Sequence, residues 1–288
     1  MNSKSIKDTL IFYNWMPVIS DWVLDLSDEF YISAGVTSIN ENPVLTPENI
    51  SSIKEGDIVF VKSDFLKKGV FQKEILPLIE VPFILVSGIS SYTIDNFKPI
   101  IDSDKVIRWY ATNPPCKHEK VIGLPIGFEE KERAGGNQEL LKSFLNRTTE
   151  KSNKILLPYH TENTNPMRIE SINYLKSLPF VHVQKERLSF EKYLEEMSKY
   201  KYCICLEGAG FDTHRNYECL LVGTVPIMKQ SGIDIIYDEY KLPCRFIDAW
   251  ERINDSFYES MEKDTFDFSN VEKFLQTKTH MERIKNNE

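Results

Sequence analysis

Between Glu207 and Met228 the chain reads EGAGFDTHRNYECLLVGTVPIM, and this stretch collects residue types suited to an anionic ligand. Gly208 and Gly210 let a backbone turn tightly and come close to a ligand. Asp212 and Thr213 are helix N-cap types, so a helix is expected to start there. Its first amides and positive dipole end would face a phosphate or diphosphate. On that helix His214, Arg215 and Glu218 are three to four residues apart and share one face. Arg215 offers a planar fork to a diphosphate, and Glu218 is an acceptor for the vicinal hydroxyls of a ribose. An exposed ion pair between Arg215 and Glu218, beside ordinary turns, would give the same letters. A lone Gly-x-Gly is a weak signal.

A second group lies upstream. His160 follows the apolar run Ile155–Pro158, and with Thr161, Asn163 and Thr164 it forms a polar turn ahead of Arg168. Arg168 stands near the start of a helix, as a second diphosphate ligand or as a surface arginine. His118, His182 and His280 read as structural or exposed. Asp102-Ser-Asp104 precedes a strand, where a metal-binding Asp-x-Asp follows one, so it reads as a surface turn. Cys203 and Cys205 alternate on a strand and read as packed core cysteines in preference to a metal pair. No set of His, Cys and carboxylates has metal spacing, so no metal is expected. A Gly-x-x-x-x-Gly-Lys-Ser/Thr loop and a Gly-x-Ser-x-Gly elbow are both absent from the sequence.

These residues need elements to place them. Short β-branched or aromatic runs at Leu10–Tyr13, Phe30–Ser33, Asp57–Lys62, Pro82–Ser87, Lys105–Ala111 and Lys120–Leu124 read as buried parallel strands. Phe71–Ile79 is an amphipathic candidate between them. Around Glu129–Asn153 the composition turns charged and polar, and the domain boundary is expected there. A second series follows: strand Lys154–Pro158, helix Met167–Leu178, strand Phe180–Val183, helix Ser189–Tyr200, strand Tyr202–Leu206, helix Thr213–Val222 and strand Thr224–Met228. Ser189 looks like an N-cap. Alternating strands and helices imply parallel sheets with helices on both faces. The expected division is an N-terminal lobe at 1–145, a ligand-binding lobe at 146–265, and a C-terminal segment at 266–288 whose helix, Val271–Ile284, packs back on the first lobe.

Composition narrows the classes. The 35 basic and 43 acidic residues give a net charge of −8, which argues against a general nucleic-acid or anionic-membrane binder. The most apolar stretch, Val81–Ile89, is far short of the roughly 20 residues a spanning helix needs. No signal peptide is read at the N-terminus, and the odd count of 5 cysteines favours reduced thiols, so a cytoplasmic setting is expected.

At this point the letters resemble a family. EGAGFDTHRNYECLLVGTVPI is similar to the C-terminal signature of exostosin-like glycosyltransferases (glycosyltransferase family 47 and relatives). That signature runs strand, glycine turn, Arg, helical Glu, then Gly-x-x-Pro-[Val/Ile]. GDIVFVKSDFL, PFILVSG, VIRWYATNPP and KVIGLPIGFE resemble segments of proteins that carry it. The likeness spans roughly residues 55–250, with Glu207–Ile227 its specific part. The resemblance implies a GT-B-like α/β fold, two Rossmann-like lobes with parallel sheets facing an interlobe cleft. It also implies metal-independent, inverting transfer from a nucleoside diphosphate sugar, UDP-sugar favoured, to a glycan acceptor, with no cofactor beyond the donor. The acceptor needs a base, which such enzymes take from the first lobe; Asp64, after the strand Asp57–Lys62, has that position, with Asp21 and Asn113 as weaker rivals. Glu207 stands where many exostosins have Pro-Arg, and YKYCICLEGAG is also similar to the Phe-Glu-Asn turn of GDP-fucose-dependent α-1,3-fucosyltransferases. Gly210 lies eight residues before Glu218, so the Glu-x7-Glu of many retaining enzymes is missing, in line with inversion. A non-catalytic binder of nucleotide sugars or glycans is the alternative from another class.

Overall fold

The structure, a computed structural model, describes residues 6–25, 38–39, 42–90, 93–160 and 167–288. The chain divides into two compact units: Met1–Ile126 together with Gln276–Glu288, and Gly127–Leu275. The fold is α/β with two parallel sheets of five strands each.

The first unit carries β1 (Trp22–Leu24), β2 (Ile58–Lys62), β3 (Phe83–Gly88), β4 (Val106–Ala111) and β5 (Val121–Gly123), side by side in chain order and all parallel. Right-handed crossovers between strands laid down in one direction place every connection on one face of the sheet. On one face Val59, Val61, Leu85 and Trp109 pack with Leu66, Phe71, Ile75, Ile94 and Ile100 from the connecting segments. The opposite face, with Ile58, Phe60, Ile84, Val86 and Tyr110, must find its cover elsewhere, since parallel sheets are buried on both sides. Phe12, Trp15, Met16 and Val18 supply it from ahead of β1, and Met281 and Ile284 supply it from the helix Thr277–Lys285. Fully burying each such side chain is worth about 1.5–3 kcal/mol. The Tyr110 hydroxyl adds hydrogen bonds to the carbonyls of Glu288 (2.7 Å) and Arg283 (3.3 Å).

Several expectations change here. Leu10–Tyr13 is no strand of the sheet: Leu10 makes one isolated bridge, to Gln276, Leu10 and Ile11 are buried, and Phe12 packs over the bare face. The edge position belongs to Trp22–Leu24. Phe30–Ser33 lies outside the described residues. Phe71–Ile79 is no single α-helix: a π-helical turn over Phe71–Ile75 gives way to a 3₁₀ turn over Leu76–Leu78, where Pro77 removes a backbone donor. Val271–Ile284 is two helices, Val271–Leu275 and Thr277–Lys285, parted at the extended residue Gln276.

The second unit begins at Gly127, so the charged stretch from Glu129 falls inside it, ahead of the division expected at 145. Its sheet contains β6 (Ser152–Leu157), β7 (Val181–Val183), β8 (Tyr200–Ile204), β9 (Val225–Lys229) and β10 (Arg245–Ile247), in the order β10-β9-β8-β6-β7. The chain steps from β6 outward to β7, then returns to the other side of β6 for β8 and continues to β9 and β10. The reversal between β6 and β8 is a topological switch point, and in open parallel sheets the crevice at such a point, beyond the carboxyl ends of the strands, takes ligands.

On this unit lie α2 (Met167–Lys176), α3 (Phe190–Ser198) and α4 (His214–Leu221). Ser189 does sit at the N-cap of α3 with extended backbone, but its hydroxyl makes no capping bond. α4 starts at Thr213, also extended, and stops where Gly223 takes a φ of +68°, a conformation that favours glycine.

Candidate functional site

The carboxyl ends of β6 and β8, flanking the switch point, carry most of the residues that the sequence singled out. His160 stands three residues past β6, and Glu207 and Gly208 follow β8. α2 brings Arg168 and α4 brings Arg215.

Arg215 is the hub. Its Nη1 donates to His160 Nε2 at 2.6 Å, and its Nε donates to the Tyr193 hydroxyl at 3.0 Å. Tyr193 in turn donates to Glu218 Oε2 at 3.0 Å. At the other end, His160 Nδ1 lies 2.7 Å from the Pro158 carbonyl, which can only accept, so the proton sits on Nδ1 and Nε2 is the acceptor. The relay Glu218–Tyr193–Arg215–His160–Pro158 is therefore satisfied by one assignment: carboxylate, neutral phenol, guanidinium, neutral imidazole. Burial, and after it the Arg215 charge, pushes the His160 pKa down to about 2. Burial raises the Glu218 carboxyl, against the pull of Arg215 and His214.

Arg168 reaches the same place. Its Nε donates to the Glu207 carbonyl at 2.6 Å, and a Cβ on Gly208 would lie 3.5 Å from its Nη2. Burial and then the Arg215 charge lower its pKa, so the two guanidiniums press on each other, and both act on His160. Two like charges are held together here by carbonyls and a neutral ring, an arrangement that favours a bound anion. The first turn of α4 itself carries no acidic residue.

The remaining expected residues divide. Gly208 N bonds Gly210 O at 2.9 Å, closing the turn ahead of α4. Asp212 is buried and accepts from Asn216 Nδ2 (3.0 Å) and Tyr217 OH (2.5 Å), so its carboxylate organises the start of the helix from within. Thr213 donates its hydroxyl to Asn216 Oδ1 at 3.1 Å. His214 is half-buried, its Nδ1 2.7 Å from the Gly127 carbonyl. Glu218 is 7 % exposed, so its carboxylate sits under the edge and is engaged with Tyr193, no simple surface partner of Arg215. Thr164, with Thr161 and Asn163, lies outside the described residues.

Further residues that the sequence reading passed over belong to this edge. Tyr193 comes from α3, and only tertiary packing brings it to Arg215. Lys229, the last residue of β9, pairs with Glu207 Oε1 at 3.2 Å, and Trp250 Nε1 donates to Glu207 Oε2 at 3.2 Å. Phe211 is 42 % exposed in the turn before α4; an exposed aromatic next to a glycine turn was a legible signal.

In the first unit Asp64 occupies the first turn of α1 (Ser63–Lys67), directly after β2 and partly exposed. Near it is Asp25, which follows β1 and pairs with Lys62 at 3.4 Å. Burial raises the Asp25 carboxyl; Lys62 opposes this, and the Asp64 charge adds to it. Asp21 stands at the opposite end, accepting the Ile58 amide at 2.8 Å and lining a cavity of about 360 Å³ at the amino ends of the strands. Asn113 is buried after β4 with a φ of +48°. Asp102 and Asp104 are exposed in the turn ahead of β4.

Among the described residues, no helix is long and apolar enough to cross a membrane. No protein-family model and no curated protein sequence matches the chain. Among solved structures it is similar to the glycotransferase of kitacinnamycin, with 9% identity and a TM-score of 0.39 over 92% of this chain and 88% of that one. It is also similar to a structure described as trehalose-6-phosphate from E. coli bound with UDP-2-fluoro glucose, with 8% identity and a TM-score of 0.40 over 83% and 73% of the two chains. A third, OtsA in its apo form, gives 9% identity and a TM-score of 0.36 over 84% and 72%. Likeness at this level is faint, and the chemistry has to come from the residues of the site.

Proposed function

We propose that the chain is a glycosyltransferase that takes its sugar from a nucleoside diphosphate sugar, a UDP-sugar in preference to a GDP-sugar, and passes it to a glycan acceptor. The observation that carries the reading is the convergence of Arg168 and Arg215 at the β6/β8 switch point, each guanidinium acting on the other and on a neutral His160. Two such forks match the oxygens of a diphosphate, and holding it in place stabilises the charge that develops as the sugar–phosphate bond breaks. A leaving group neutralised by arginines and a helix start needs no divalent ion, so the transfer proposed is metal-independent.

The other residues take supporting roles in this reading. Tyr193 and Glu218 hold the Arg215 guanidinium in place from beneath the edge. Phe211 and Tyr159, both exposed at this edge, present rings to a base or sugar face. Asp64 is the proposed base for the acceptor hydroxyl, with inversion at the anomeric carbon.

The test is to incubate the chain with a panel of UDP- and GDP-sugars and mixed oligosaccharide acceptors, and to assay free nucleoside diphosphate. Acceptor-dependent release supports transfer. Donor-dependent thermal stabilisation with no release under any acceptor identifies a binding protein instead.

A further inference from the structure

Three cysteine sulfurs meet inside the second unit, and glycosyl transfer makes no use of them. Cys203 on β8 and Cys205 just past its end are two residues apart and point to one face of the sheet. Cys219 arrives from α4 against that face, a third member that spacing along the chain does not reveal. Their Sγ atoms all lie within 4.8 Å of one another, Cys205 and Cys219 at 3.5 Å. All three residues are between 0 and 3% exposed, and none is in a disulfide. Among the described residues no imidazole or carboxylate joins them.

The triangle has the size of a metal site. Metal–thiolate bonds of about 2.3 Å in a trigonal arrangement would hold the sulfurs about 4 Å apart. Ligand type and number then choose the ion. Structural zinc takes four ligands, whereas soft thiolates suit Cu(I), a d¹⁰ ion content with three. We propose that Cys203, Cys205 and Cys219 form a three-coordinate thiolate site for Cu(I), which ties α4 to β8. Each coordinating thiol gives up its proton on binding, and the ion touches no substrate. The site therefore stands or falls independently of the donor reading.

The experiment uses the full chain, fully reduced and anaerobic. Cu(I) is supplied both by titration of the folded chain and during refolding, in each case against excess bathocuproine disulfonate. The expected result is one equivalent of Cu(I) retained, a thiolate-to-copper absorption band in the near ultraviolet, and three sulfur neighbours by X-ray absorption. C219A and C219S, checked for fold by circular dichroism, should lose more affinity than the roughly 10–100-fold that outer-shell changes cost at metal sites. C116A, at a thiol outside the cluster, should bind as the parent does. The proposal is overturned if the chain yields its copper to the chelator by both routes, if both Cys219 variants hold copper as tightly as the parent, or if Zn(II) displaces Cu(I).

Discussion

Arg215 Nη1 donates to His160 Nε2 at 2.6 Å, and that one bond settles the protonation of both side chains. An imidazole that accepts from a guanidinium has no proton on that nitrogen. A second proton would set two cations face to face.

The pH dependence of stability follows. His160 has a folded pKa pushed down to about 2, by burial first and by Arg215 second, from an ordinary value of 6.5. As pH falls through 6.5 the unfolded chain takes up a proton here and the folded chain does not. The stability linked to this residue is thus complete above about pH 6.5 and declines as pH drops toward 2, by at most about 1.4 kcal/mol per pH unit. In urea titrations at pH 7.5 and pH 5, His160→Gln should narrow the gap in stability between the two conditions. An equal gap in both proteins would mean that His160 is not held neutral.

The Tyr193 hydroxyl joins Arg215 to Glu218, accepting from the one and donating to the other. Tyr193→Phe keeps the ring and removes the hydroxyl, leaving a buried acceptor and a guanidinium N–H unserved. A loss of about 1–3 kcal/mol in unfolding free energy is expected, together with weaker nucleoside diphosphate binding as the fork loses its tether. A variant as stable as the parent would show that water replaces the hydroxyl and that the relay is not structural.

For the base, the pair Asp25 and Asp64 allows a direct comparison. Asp64→Asn should lower kcat by about 10²–10⁴-fold, the usual contribution of a positioned base, while the affinity for the donor stays as it was. Asp25→Asn should have a much smaller effect. If the two outcomes are reversed, Asp25 is the base and Asp64 its neighbour.

Much of this was legible from the letters because it depends on local pattern. The buried runs that became β2 to β9, the glycine turn at Gly208 and the helix after Thr213 all follow local residue pattern, although the Thr213 hydroxyl makes no capping bond. Elements set by tertiary demand were not. β1 and β10 are edge strands that none of the apolar runs read from the sequence covers, and Asp25 was passed over along with β1. Leu10–Tyr13 is as apolar as a strand because Leu10, Ile11 and Phe12 are all buried outside the sheet, Phe12 over the face that the crossovers leave bare. Tyr193 could not be found from spacing, since it meets Arg215 across 22 residues. Glu218 was read on the same helix face as Arg215, but its burial and its bond from Tyr193 could not be, because helical phase tells which residues are neighbours and not what packs over them.

The account rests on two arginines forming a diphosphate site, and the affinity for UDP and GDP tests it most directly. Isothermal titration in EDTA should show the parent chain binding a nucleoside diphosphate without metal. Arg168→Ala and Arg215→Ala should each weaken binding by roughly 10–100-fold, the worth of a charge-assisted hydrogen bond lost. Arg215→Ala should also melt earlier, given its place in the relay. If Arg168→Ala binds as tightly as the parent, or if neither nucleotide binds until a divalent ion is added, the two guanidiniums do not make a diphosphate site.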